Sequence, residues 1–144
     1  MKRFLIAPAL GILCLLTLSG CREEVVATCE EHTLSPCTTD PAMVNIRVHN
    51  MSAYTLCNVE VGPGESTIFN HGIMEPHATT CYRATPTAYL NSYVHFMVGD
   101  SELVVQPIDH IIGDSMLDPG NFTLTITVNE LKMYGGAAIA YARD

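Results

Sequence analysis

The sequence predicts an all-β domain, a single antiparallel two-sheet sandwich of immunoglobulin-like or related topology, placed after a short apolar leader. Three observations lead there. Apolar and polar residues alternate with a period of two through much of residues 42–144, Gly, Pro, Asn and Asp interrupt that alternation at short intervals, and no helical stripe follows the leader. Period two marks a strand with one buried face, because successive side chains point to opposite sides of a sheet. A small closed barrel is the alternative arrangement of the same strands.

Each element follows from its own pattern. In "MVNIRVHN", Val44, Ile46 and Val48 alternate with Asn45, Arg47 and His49. After the turn "NMSA" comes "YTLCNVEV", and "GPGE" separates it from "STIFN". "ATTCYR" is a further short strand, and "AYLNSYVHFMV" is the longest, with Val94, Phe96 and Val98 on one face and Tyr93, His95 and Met97 on the other. Gly99-Asp100 turns the chain into "ELVVQPI" as a hairpin partner. "LDPGN" makes another turn, "FTLTITV" alternates again and "AAIAYAR" closes the chain.

The N-terminal 20 residues have the three-part layout of a secretory signal: Lys2 and Arg3, the apolar run "FLIAPALGILCLL", then Ser19 and Gly20 before Cys21. The run is shorter than the ~20 apolar residues a spanning helix needs. Residues 21–41 lack strand or helix periodicity and read as a tether, leaving 42–144 as the domain. Beyond Cys21 the basic residues are Arg22, Arg47, Arg83, Lys132 and Arg143, set against 15 Asp and Glu. Such a surface repels phosphates, so a nucleic-acid partner is excluded.

Cys29, Cys37, Cys57 and Cys81 remain once Cys14 and Cys21 are set aside. An even number in an exported chain reads as two disulfides, and the absence of Cys-x-x-Cys spacing argues against zinc. Cys29 and Cys37 lie close together in the tether, while Cys57 and Cys81 fall in strands, so the expected pairs are 29–37 and 57–81.

"LSGC", Leu18–Cys21, resembles the lipobox of bacterial lipoproteins. That resemblance implies cleavage before Cys21, a lipid on its sulfur and acylation of the new amino terminus. Several acyl chains on one residue anchor a protein stably to a membrane without a spanning helix. Arg22, standing where an Asp would favour inner-membrane retention, implies the outer membrane, on its periplasmic face or at the cell surface. "VNIRVHNMS", "YVHFMVGDSELVVQPID" and "LDPGNFTLTI" are similar to segments of small bacterial lipoproteins that pair a lipobox with a compact β domain. The resemblance implies a fold and an address and carries no activity.

Three chemistries deserve weighing. "GDSM", Gly113–Met116, matches the nucleophile motif of GDS-type esterases with Ser115 as nucleophile, the small-hydrolase reading. Gly99-Asp100-Ser101 repeats the tripeptide, as turn preferences would, and no His follows His110. Asp109, Asp114 and Asp118 lack the regular spacing of a calcium loop. His71, Met74, His77, His95 and Met97 supply imidazole and thioether donors that suit Cu(I), with His95 and Met97 on one strand face, which defines a copper-carrier alternative. The leading expectation is a non-enzymatic, cofactor-free envelope module that binds a protein or glycan partner or serves a structural role, held to the membrane through Cys21.

Overall fold

The computed structural model describes residues 29–30, 32–64, 66–106 and 116–144. It is an all-β sandwich of two four-stranded sheets. The strands are β1 (Val44–Asn50), β2 (Leu56–Gly62), β3 (Phe69–Met74), β4 (Arg83–Thr85), β5 (Tyr93–Val98), β6 (Ser101–Val105), β7 (Gly120–Val128) and β8 (Ala137–Arg143). One sheet has the order β4-β1-β7-β8 and the other β3-β2-β5-β6. All pairs are antiparallel except β1 with β7, which run parallel from Val44↔Gly120 to Asn50↔Ile126. The sandwich is therefore mixed rather than wholly antiparallel. Strands this far apart in the chain need no hairpin, so nothing in their local sequence sets their relative direction.

The alternation read from the sequence puts the core where expected. Val44, Ile46 and Val48 of β1, Val94, Phe96 and Val98 of β5, and Phe122, Leu124 and Ile126 of β7 are buried between the sheets with Leu56, Val59, Val61, Met74 and Leu103. Each such side chain contributes roughly 1.5–3 kcal/mol by leaving water. Gly99-Asp100 forms the two-residue connection of the β5–β6 hairpin, with Val98 opposite Ser101 and a φ of 57° at Gly99, a conformation that favours glycine. The Gly-Asp-Ser at 99–101 is thus a turn followed by the first residue of β6.

Two strands sit elsewhere than their patterns suggest. β3 starts at Phe69 and runs through His71-Gly72 to Met74, so it takes in all of "HGIM" and only the last two residues of "STIFN". β4 is only three residues long, and "ATTC" before it makes a single bridge, Thr79 to His49. In β2 a bulge at Asn58, whose φ is 54°, breaks the period between Leu56 and Val59.

The sequence also gave no warning of a polar staple at one end of the sandwich. Asn50 is fully buried at the end of β1; its amide donates to the carbonyls of Tyr54 (2.8 Å), Met74 (3.2 Å) and Glu75 (3.0 Å). Its oxygen accepts from the Ser52 backbone N–H and hydroxyl at 3.0 and 2.6 Å. One side chain thereby joins the ends of β1, β2 and β3. Asn50→Ala leaves those buried groups unpaired and is expected to cost about 2 kcal/mol, read from the midpoint of urea unfolding.

Candidate functional site

The open side of the sandwich between β3 and β4 is where polar groups concentrate. Residues 34–38, expected as part of a tether, lie along this side as a strap. The Ser35 N–H donates to the Asn70 carbonyl on β3 (2.9 Å), and the Asn70 N–H donates to the Ser35 hydroxyl (2.9 Å). Three residues on, the Thr38 N–H reaches the Tyr82 carbonyl (2.9 Å), and the Ala84 N–H donates to the Thr38 hydroxyl (3.0 Å). One short segment thus pairs with edge strands of both sheets. Leu34 lies over Gly72, where an added Cβ would come within 2.4 Å of a Leu34 methyl and where φ is 69°. Glycine at 72 is what lets the strap sit close.

The two disulfides fix this arrangement, and they correct the expected pairing: Cys29 joins Cys57, and Cys37 joins Cys81. Nearness along the chain was the wrong guide. Cys57 belongs to β2, whereas Cys81 precedes β4 in the opposite sheet, and the extended strap carries one cysteine to each.

Beneath the strap, Arg83 and His71 face each other from opposite sheets, both buried. The Arg83 guanidinium donates to His71 Nδ1 at 2.7 Å and to the Ser35 carbonyl at 3.0 Å, with a longer contact to the Cys81 carbonyl at 3.4 Å. Arginine has only donors, so Nδ1 must accept and the imidazole proton sits on Nε2. That Nε2 is buried without a partner among the described residues. Burial, with the Arg83 charge adding to it, lowers the His71 pKa to about 3. Burial also pulls Arg83 below the ordinary arginine value. The imidazole is a neutral acceptor for a buried cation, and its role is to let Arg83 hold the strap from inside. No sequence motif marks Arg83, although it is one of only five basic residues after Cys21.

The copper-ligand candidates occupy separate settings. Met74 is in the core, His71 is committed to Arg83, and His77 is exposed in the turn after β3. His95 and Met97 share the outer face of β5, as read from the sequence, so Met74 and Met97 lie on opposite faces of one sheet. His95 sits between two carboxylates, with Nε2 3.1 Å from Glu102 and Nδ1 4.0 Å from Glu60. Tyr93 lies on the same face, and its pKa is raised by partial burial and by Glu60, Glu102 and Tyr134. Among the described residues no group of three His, Cys, Asp or Glu side chains is placed to hold a metal ion. Ser115, Asp109 and Asp114 lie outside the described residues, as does Cys21; Asp118 is exposed.

A second polar cluster lies on the outer face of the first sheet. Asp144 accepts from the hydroxyls of Tyr82 and of Thr123 (2.6 Å) and pairs with Arg47 at 3.4 Å, while Arg47 donates to Thr123 at 2.9 Å and covers the Tyr82 ring. Burial opposes ionisation of Asp144, but the Thr123 and Tyr82 hydrogen bonds and Arg47 outweigh it and hold the carboxyl below its usual range. These contacts tie the residue after β8 to β1, β7 and the residue before β4. Their chemistry is that of a clasp.

Neither a family model nor a curated protein nor a solved structure matches the chain.

Proposed function

We propose that the chain is an exported lipoprotein, anchored through a lipid on Cys21 to the outer membrane, whose β-sandwich serves the cell envelope as a binding or structural module without catalysis. The observation that carries this reading is the pair of disulfides following so closely on "LSGC". Cys29 comes eight residues after Cys21, and both bridges join the segment behind the lipobox to the sandwich. Disulfides of this kind persist in oxidising compartments. The module reading is further supported by what the polar side chains do: Arg83, His71, Asn50 and Asp144 are each occupied in holding strands together. The partner proposed for the module is an envelope protein or glycan.

Cys21→Ser is expected to abolish fatty-acid labelling and to release the chain from the membrane fraction. Intact-mass measurement of the native protein should show an acylated N-terminus at Cys21. An unacylated mature chain beginning at another residue would overturn the anchor.

A further inference from the structure

The two disulfides sit in different surroundings. Cys57 is buried within β2 and its partner Cys29 is half-buried, whereas Cys37 and Cys81 are both exposed. Thiol–disulfide exchange needs a thiolate to reach one sulfur of the bridge, so access governs which bridge reacts first. The exposed bridge is also the one that fastens the strap: Cys37 lies within it, and Cys81 stands just before β4 in the opposite wall.

Little else fastens it. Ser35 and Thr38 carry the strap's hydrogen bonds, which reach Asn70, Tyr82, Arg83 and Ala84. Leu34 stays 57% exposed as it passes over Gly72, and among the described residues the core between the sheets takes nothing from residues 34–38. A hydrogen bond contributes about as much net stability as fixing one residue costs in conformational freedom, so these contacts roughly offset the ordering of the strap and leave the covalent bond to decide. The group underneath tips the balance toward opening. The Arg83 guanidinium is held by the His71 ring and by the carbonyls of Ser35 and Cys81, with no carboxylate among these partners, and a buried cation so placed gains hydration when water reaches it.

The chain is fixed on both sides of the strap. Cys29–Cys57 holds it before, and Asp40 holds it after, where the Asp40 N–H donates to the Asn45 side-chain oxygen at 2.8 Å and the Asp40 carbonyl accepts from the Asn45 amide at 2.9 Å. We propose that Cys37–Cys81 is a redox latch, reduced by a dithiol ahead of Cys29–Cys57, whose opening lets the strap leave the β3–β4 side while the sandwich stays folded. One thiolate of the dithiol attacks a sulfur of the bridge and the other cysteine leaves as a thiolate, which takes up a proton. The second thiol of the reductant then displaces the first cysteine from the mixed disulfide. Two electrons and two protons pass: the dithiol becomes a disulfide, and Cys37 and Cys81 become thiols. Water then reaches His71 and Arg83, and reoxidation closes the latch again.

The full chain under native conditions tests this with dithiothreitol as the dithiol. Differential alkylation and peptide mapping are expected to find thiols at 37 and 81 appearing roughly ten-fold or more faster than at 29 and 57. Hydrogen exchange on the singly reduced protein should show the Ser35, Thr38, Asn70 and Ala84 amides losing roughly ten-fold or more of their protection, while the amides shared between β1 and β7 keep theirs. Reoxidation should restore the original pattern, and the double variant Cys37→Ser, Cys81→Ser should show the open pattern without any reductant. Equal reduction of the two bridges would overturn the inference. So would strap amides that stay protected once Cys37 and Cys81 are thiols, or protection lost throughout both sheets.

Discussion

Acidification from pH 7 to 4.5 is expected to destabilise the domain by about 3 kcal/mol through His71, a loss that His71→Gln removes. The unfolded chain protonates this histidine near its ordinary value of 6.5, but in the folded protein burial and Arg83 hold it to about 3. Because the folded-state pKa is depressed, stability is fully present above 6.5 and falls as the pH drops from there toward 3. The interval between 6.5 and 4.5 is the informative one, since carboxylates contribute strongly below it. Glutamine at 71 retains an oxygen to accept from Arg83 and has no proton to gain. Urea midpoints measured at half-unit pH steps should slope downward for the native chain and run nearly level for the variant. Equal slopes would mean that His71 is not the responsible group. Against a total stability of ~5–15 kcal/mol for an ordinary domain, the effect is large.

The second large effect concerns the bridge from the strap to the first sheet. Replacing Cys37 and Cys81 by serine is expected to cost about 4 kcal/mol and to lower Tm by roughly 15 °C. The chain-entropy part follows from a sequence separation of 44, against 28 for Cys29–Cys57. Cys37 also lies between Ser35 and Thr38, so losing its bridge loosens the hydrogen bonds that pair the strap with both sheets. Water then reaches Arg83 and His71, and the acid sensitivity described above should weaken in the same variant. Peptide mapping of the unreduced native protein should recover Cys29 with Cys57 and Cys37 with Cys81. Recovery of Cys29 with Cys37 would overturn this account.

How much of this was legible in the sequence depended on whether the governing interaction was local. Alternation in "VNIRVHN", "YVHFMV" and "FTLTITV" reports burial residue by residue, so the strands and their inward faces could be read directly. The Gly99-Asp100 turn carries its own conformational requirement. The disulfide pairing, the strap and the parallel β1–β7 contact join residues remote in sequence, and no local preference encodes them. β3 was displaced because His71 and Gly72 are poor strand formers, each held there by a remote partner, Arg83 and Leu34. The copper candidates show the converse. His95 and Met97 do share a face, which period two guarantees, but convergence with Met74 is a tertiary matter and does not occur.

The Cys29–Cys57 bridge also sets a height. With a lipid on Cys21, the eight-residue interval to Cys29 spans at most about 28 Å even fully stretched, and the disulfide ends the leash there. The domain is then moored by the start of β2, beside the Asn50 staple and the β5–β6 turn, and can neither wander far from the lipid surface nor present those parts to a distant partner. In a chain so anchored, the opposite end, where Gly62 pairs with Tyr93 and Val94 with Val105, is the part of the domain farthest from the point of attachment.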